Sequence, residues 1–209
     1  MTSARTRARL VERLRASGIR SEEVLGVIGE VPRHAFVDEA LAHRAYDDVS
    51  LPIGHSQTIS QPYIVARMTE LALESPGRGK VLEIGTGCGY QTTVLAQCFK
   101  TVYSVERIGA LARTARERLS QLGVHNVRLR HGDGSKGQPD AAPFDAILIT
   151  AAAPIVPEFL IEQLVIGGRL VFPVGTTDQE LRMIERLEDG HQETRLEKVR
   201  FVPLLPGLA

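Results

Sequence analysis

Val81-Leu82-Glu83-Ile84-Gly85-Thr86-Gly87-Cys88-Gly89-Tyr90 runs an apolar segment straight into three alternate glycines. The run reads as a buried strand, and the glycines as a tight turn opening onto a helix that starts near Tyr90. In open α/β sheets, ligands bind at that place, outside the carboxyl end of a strand. Side chains at Gly85, Gly87 and Gly89 would keep a ligand off the backbone. A purely structural turn is the alternative, because glycines follow many strands. The spacing is G-x-G-x-G rather than the dinucleotide pattern G-x-G-x-x-G, which disfavours a nicotinamide oxidoreductase.

The flanking sequence repeats the same theme. Strands are predicted at Lys80–Ile84, Thr101–Glu106, Val127–Arg130, Phe144–Thr150 and Arg169–Val174, with helices after the first, second and fourth. Such alternation implies right-handed crossovers and a parallel sheet covered on both faces. Gln179–Val202 changes period and predicts an antiparallel hairpin around Glu188-Asp-Gly-His. Before the sheet, Pro62 suits the first turn of a helix ending near Ser75-Pro76-Gly77. Residues 1–60 lack strand-like runs. They predict a helical extension closed by an ordered loop, Leu51 to Pro62, and leave 61–209 as the main domain of one compact unit.

Composition narrows the function. The 209 residues are 43% hydrophobic and 24% charged, ordinary values for a chain that buries a core. The 25 basic and 25 acidic side chains cancel, so no bulk field draws the chain to nucleic acid or an anionic membrane. Neither is an expected partner. The most apolar stretch, Ala146 to Ile166, is interrupted by Pro154, Pro157, Glu158 and Glu162 and cannot span a bilayer. The basic N-terminus, from Thr2 to Arg9, leads into no apolar segment and predicts no secretory signal. Cys88 and Cys98, placed in one predicted helix, lie too far apart to bridge. They read as reduced thiols of a cytoplasmic protein, expected to be a monomer.

Two carboxylates accompany the glycine turn. Glu106 closes the second strand twenty-one positions after Gly85, where a carboxylate accepts hydrogen bonds from ribose hydroxyls. Glu83 sits inside an apolar strand and is costly to bury unless a donor or cation meets it. His55 and His131 lie in loops without metal-ligand spacing, so no metal is expected. Arg113, Arg116 and Arg118 mix with Glu117 on a predicted helix and read as a solvated face.

Glu83-Ile-Gly-Thr-Gly-Cys-Gly89, Glu106 and His131-Gly132-Asp133-Gly134 together resemble the cofactor site of class I S-adenosylmethionine-dependent methyltransferases. The resemblance implies that the turn, Gly85, Thr86, Gly87 and Gly89, lies against the methionine part of the cofactor. Glu106 would then hold the ribose, and Asp133, between Gly132 and Gly134, would approach the adenine amino group. For Asp133 a plain turn is the alternative.

Three further segments, Val31-Pro-Arg-His-Ala-Phe-Val37, Leu51-Pro-Ile-Gly-His-Ser-Gln-Thr-Ile-Ser-Gln-Pro-Tyr63 and Val199-Arg-Phe-Val-Pro-Leu204, look like those of protein-L-isoaspartate O-methyltransferases. With the cofactor motifs this likeness covers nearly the whole chain. It implies a Rossmann-like, doubly wound, mostly parallel seven-stranded sheet with helices on both faces, an antiparallel strand at the C-terminal edge and a helical N-terminal extension. The implied reaction is methyl transfer from S-adenosyl-L-methionine to the free α-carboxylate of L-isoaspartyl residues in damaged proteins and peptides, leaving S-adenosyl-L-homocysteine.

The resemblance also implies site residues. Ser60 is the hydroxyl at the substrate carboxylate, although on sequence grounds alone it reads as the N-cap of the helix beginning at Pro62. Gln57, Thr58, Glu83 and Thr150 join the cofactor set, and Ile59, Ala151, Ala152 and Val202 border the substrate. Ser56 stands where the family usually has glycine, and so disfavours positive φ. Ser135 replaces an aromatic common in bacterial relatives. Two other functions stay open: methyl transfer to RNA or a small metabolite, and cofactor binding without catalysis.

Overall fold

The apolar residues of the central strands alternate between two cores, one on each face of a single sheet. Val81, Val102, Ala146, Leu148 and Val171 enter the first core, while Leu82, Ile84, Ile147, Ile149, Leu170 and Phe172 enter the second. The computed structural model describes residues 4–209. Thr2 and Ser3 of the basic N-terminal stretch lie outside the described residues.

The strands are β3 (Lys80–Ile84), β4 (Thr101–Glu106), β5 (Val127–His131), β6 (Phe144–Ile149), β7 (Leu164–Val174), β8 (Gln179–Leu187) and β9 (Gly190–Val199). Their order across the sheet is β5-β4-β3-β6-β7-β8-β9. All neighbours from β5 to β7 are parallel, and the reversed strand is β8, antiparallel to both β7 and β9. It is thus second from the edge, with β9 outermost. From β3 the chain winds outward through β4 to β5, then returns to the other side of β3 at β6. That reversal opens a crevice at the carboxyl ends of β3, β4 and β6.

Helices α3 (Pro62–Leu73) and α4 (Tyr90–Cys98) bury their apolar residues in the first core, and the short α6 (Glu158–Ile161) buries Leu160 and Ile161 in the second. Helix α5 (Gly109–Gln121) packs on β4 and β5. Cys88 precedes α4 instead of lying within it, because the turn holding Gly87 and Gly89 at positive φ delays the helix to Tyr90; both cysteines are buried and free. Among the described residues, no helix is long and apolar enough to cross a membrane.

The N-terminal extension joins the same core. In α1 (Ala4–Ala16) and α2 (Glu22–Glu30), Leu10, Leu14, Val24, Leu25 and Ile28 are buried in the first core beside α3. Glu70 of α3 accepts the backbone N–H groups of Arg20 and Ser21 at 2.7 and 2.8 Å, tying the start of α2 to the sheet layer. The expected loop after Leu51 contains a hairpin instead, formed by β1 (Leu51–Gly54) and β2 (Gln57–Ile59). Its two-residue turn is His55-Ser56, with φ of 52° and 56°. Tight hairpins need positive φ at both central residues to match strand twist. Tertiary pairing of Leu51 with Ile59 therefore imposes on Ser56 a conformation its side chain disfavours.

One polar cluster lies inside the sheet. Glu83 is fully buried on β3, and its Oε2 accepts hydrogen bonds from Thr92 Oγ1 on α4 and Ser104 Oγ on β4, both at 2.5 Å. Ser104 Oγ lies 2.6 Å from Thr86 Oγ1 in the glycine turn. Burial raises the Glu83 carboxyl from its ordinary value to about 8, with the two hydroxyl bonds opposing this only in part. The folded chain thus keeps a proton that the unfolded chain releases above about pH 4.5.

Two stability measurements follow. Ser56→Gly relieves the left-handed strain and should stabilise the fold by about 1 kcal/mol, raising Tm by roughly 2–4 °C in calorimetry; an unchanged or lower Tm counts against strain at the turn. For Glu83, the stabilising contribution of the protonated form is fully present below pH 4.5 and is lost as pH rises through about 8. Denaturant midpoints measured across this window should fall with pH in the wild type and flatten in Glu83→Gln. Parallel curves would exclude Glu83 as the titrating group.

Candidate active site

The glycine turn is shaped by what presses on it. Gly85 has φ of 101°, and a Cβ placed there would lie 2.3 Å from Thr150 Oγ1, so only glycine fits. Thr150 Oγ1 donates to the Gly85 carbonyl at 2.6 Å, and Thr150 N to the Ile84 carbonyl at 2.9 Å. On the other side, Glu106 Oε2 accepts Gly87 N–H at 2.8 Å and its Oε1 accepts Ile108 N–H at 2.9 Å. The carboxylate is thereby fixed at the crevice, and each oxygen keeps a free lone pair for a further donor.

A cavity of about 640 Å³ opens above these carboxyl ends. Its lining combines the apolar side chains Ile84, Val105, Ile108, Leu204 and Leu205 with the Glu106 carboxylate. Apolar faces plus a few placed polar groups suit a nucleoside: a flat base between aliphatic side chains and a diol at the carboxylate. Of the expected cofactor residues, Gln57, Thr58, Gly85, Gly87, Glu106, Gly134 and Thr150 line this cavity, together with Ala151 and Val202. Thr86 lines an adjoining cavity with Cys88, Tyr90 and Gln91.

Glu83, Gly89, Gly132 and Asp133 lie behind or beside these linings. Glu83 acts on the turn only through Thr92, Ser104 and Thr86. The Asp133 carboxylate accepts Ser135 N–H at 2.8 Å and Gly207 N–H at 2.7 Å, and these bonds, Gly207 foremost, hold it below the usual carboxylate range. The Gly207 bond belongs to a C-terminal segment crossing the sheet edge. Ala152 N–H donates to Val202 O and Leu204 N–H to Ala152 O, which seats Val202 to Leu205 on the cavity rim. Arg107, Ile108 and Leu205 of this lining belong to no motif of the sequence, whereas Pro203 and Leu204 end the Val199–Leu204 segment.

Ser60 is not the N-cap. That place belongs to Gln61, whose side chain makes no cap hydrogen bond, and the capping acceptor comes from Asp48. Asp48 Oδ1 accepts Tyr63 N–H at 2.8 Å and its Oδ2 accepts the Gln61 amide at 2.9 Å. A remote carboxylate thus does what a local hydroxyl does at many helix starts. The Ser60 hydroxyl therefore has no hydrogen-bond partner among the described residues, and it lines two cavities. One holds Thr86 and Gly87; the other is an open groove of about 890 Å³ walled by Ser50, Gln61, Ile64 and Lys198–Val202. Ile59 lines only the first of these, and Ala152 contributes backbone to the C-terminal segment rather than lining any of them. Thr58 and Thr150 line all three cavities, so nucleoside pocket, hydroxyl and groove form one continuous site.

Comparison with known proteins agrees with this geometry. The family model for protein-L-isoaspartate(D-aspartate) O-methyltransferase (PCMT) matches residues 5–208. The protein-L-isoaspartate O-methyltransferase of Chromobacterium violaceum is 58% identical over 99% of this chain and 93% of its own. Protein-L-isoaspartate O-methyltransferase 1 of Marinobacter nauticus is 59% identical, over 100% of this chain and 95% of its own. Among solved structures, a protein-L-isoaspartate O-methyltransferase superposes with a TM-score of 0.87 at 27% identity, covering 97% of this chain and 67% of that one. The Plasmodium falciparum beta-aspartate methyltransferase (PCMT), in complex with S-adenosyl-L-homocysteine, gives 0.82 at 26% identity, covering 94% and 96%. With a full-length family match and relatives well above half identical, the chain belongs to the protein-L-isoaspartate(D-aspartate) O-methyltransferase family.

Proposed function

We propose that this chain transfers a methyl group from S-adenosyl-L-methionine to the free α-carboxylate of L-isoaspartyl residues in damaged proteins and peptides. The observation that carries this reading is the unengaged Ser60 hydroxyl, standing where the nucleoside-side cavities meet an open groove of about 890 Å³. When bound, S-adenosylmethionine supplies an electrophilic methyl group on its sulfonium. Glu106 would hold the ribose diol with the lone pairs left free by Gly87 and Ile108, and the Gly85–Gly89 turn would admit the methionine part close to backbone. Asp133, with lone pairs beyond those used by Ser135 and Gly207, would meet the adenine amino group beside Gly134.

The acceptor needs little chemical activation. A carboxylic acid with a pKa of about 4 is ionised at neutral pH and is itself the nucleophile. What remains is to strip water from it and hold one oxygen in line, a task of proximity and orientation. A neutral hydroxyl suits this: Ser60 donates to one oxygen and leaves the other to attack. Asp48, by capping α3, keeps Ser60 free for that donation. The small side chain of Ala151, which lines the cofactor cavity with Val202, leaves room beside the reacting groups. The ester formed would collapse to a succinimide, which hydrolyses in part to normal aspartate. The buried free thiols Cys88 and Cys98 support action in the cytoplasm.

The direct test follows labelled methyl from S-adenosylmethionine to matched peptides containing isoaspartate or aspartate, counting methanol released by mild base. Label on the isoaspartyl peptide alone is expected. Alkali-stable label would point to another acceptor, and cofactor binding without any label would leave a binding protein. Among variants, Ser60→Ala should slow transfer by roughly 10- to 100-fold with S-adenosylhomocysteine affinity nearly intact. Glu106→Ala should weaken that affinity by about 10- to 100-fold, the effect of losing hydrogen bonds to a charged group. Calorimetric titration separates the two roles, and equal losses of affinity would remove Ser60 from the substrate side.

A further inference from the structure

The groove beside Ser60 has an uneven charge. Of its lining residues, Ser50, Thr58, Ser60, Gln61, Ile64, Thr150 and Lys198–Val202, the ionisable ones are Lys198 and Arg200, and both are cations. They alternate along the chain with Val199 and Phe201, which pack against the first core. The strand period of two therefore puts both cations on the outer, exposed side while the apolar residues anchor the segment.

The surrounding acids are committed elsewhere. Glu180, opposite Lys198 in the sheet register, pairs with Arg182 at 3.5 Å. Glu197 lies 3.7 Å from Arg67 and accepts a hydrogen bond from the Tyr63 hydroxyl, and Asp48 is held by Gln61 and Tyr63. Three nearby or neighbouring-strand arginines, Arg67, Arg169 and Arg182, each pair with two carboxylates. Lys198 and Arg200 pair with none among the described residues. A groove whose lining carries two unpaired cations and no carboxylate is complementary to an anionic occupant.

We infer that Lys198 and Arg200 set the substrate preference of this site, selecting isoaspartyl segments whose neighbouring residues are acidic. The inference rests on the functional reading above, which puts the isoaspartyl peptide in this groove. The cations stand on the lip, beside the hydroxyl that positions the reacting carboxylate, so they attract flanking charge without replacing the neutral donor at the nucleophile. Each rim pair is weak and screened, so discrimination should be modest and salt-dependent: about three- to tenfold for two charges at low ionic strength.

The test uses isoaspartyl peptides of one core sequence flanked by Glu, by Lys or by neutral residues. Binding to the full chain saturated with S-adenosylhomocysteine is read by fluorescence anisotropy, and methyl transfer is measured separately. Glu-flanked peptides should bind about three- to tenfold more tightly than Lys-flanked ones at low salt, and the gap should close at about 0.5 M salt. The double substitution Lys198→Glu with Arg200→Glu should reverse the order, with S-adenosylhomocysteine affinity unchanged as evidence of folding. Equal binding of all three peptides by the wild type, or a preference that survives the double substitution, would overturn the inference. Methyl transfer to the neutral peptide with no charge preference would sink the inference and leave the function standing. Charge-dependent binding with no transfer would do the opposite.

Discussion

The Glu106 carboxylate receives Gly87 N–H on one oxygen and Ile108 N–H on the other, and much of the site depends on that pair of bonds. They join the turn after β3 to the start of α5 and bring a charged group to the mouth of the crevice. Thr150 braces the same turn from β6, across the point where the winding of the sheet reverses. The turn is thus clamped from both neighbouring strands; Gly85 is required by contact as well as conformation, Gly87 and Gly89 by their positive φ. Beneath it, Glu83 joins β3, β4 and α4 through two hydroxyls, so the base of the site is a hydrogen-bonded layer inside an otherwise apolar sheet.

The acceptor side is organised by the N-terminal extension. Arg33 is fully buried: its Nε donates to the Ala45 carbonyl at 2.8 Å, Nη2 reaches the Val49 carbonyl at 3.4 Å, and its guanidinium lies 4.8 Å from the centre of the Tyr90 ring. Burying this cation costs solvation, and desolvation pulls its pKa down. In return the Ala45–Val49 segment is held against the first residue of α4, directly after the glycine turn. Asp48 lies within that segment and caps α3, which places Ser60 at the rim. One buried cation and one remote cap therefore connect the extension to the cofactor side. The extension and one face of the sheet share the first core, so the segment that carries Ser60 is positioned by packing.

Much of this was legible in order along the chain. Parallel strands buried on both faces are largely apolar, so Val81–Ile84 and Phe144–Ile149 announce themselves despite Glu83 and Asp145, and the glycines, Glu106 and Pro62 mark where the elements start and stop. Less visible was the β1–β2 hairpin, since His55-Ser56 is not a usual turn pair and its positive φ is imposed by pairing between Leu51 and Ile59. The antiparallel hairpin expected at the C-terminal edge is there, with β8 antiparallel to β7 and β9 added beyond it as the outermost strand.

The sequence by itself determined the strand–helix alternation, the glycine turn that ends β3 and the carboxylate that ends β4, because each is set by local periodicity and turn chemistry. Which atoms are free to act was decided only by tertiary structure. Ser60 looked like a helix cap until Asp48, twelve residues earlier, took that role. The rim from Val202 to Leu205 is laid over the cofactor cavity by two backbone hydrogen bonds to Ala152, a placement no local pattern records. Lys198 and Arg200 are ordinary surface cations in the sequence, and their isolation from carboxylates emerges only once Glu180 and Glu197 are seen turned toward other arginines. Hydrogen-bond capacity and charge are settled by competition among partners distant in the chain, and no local pattern records how that competition ends.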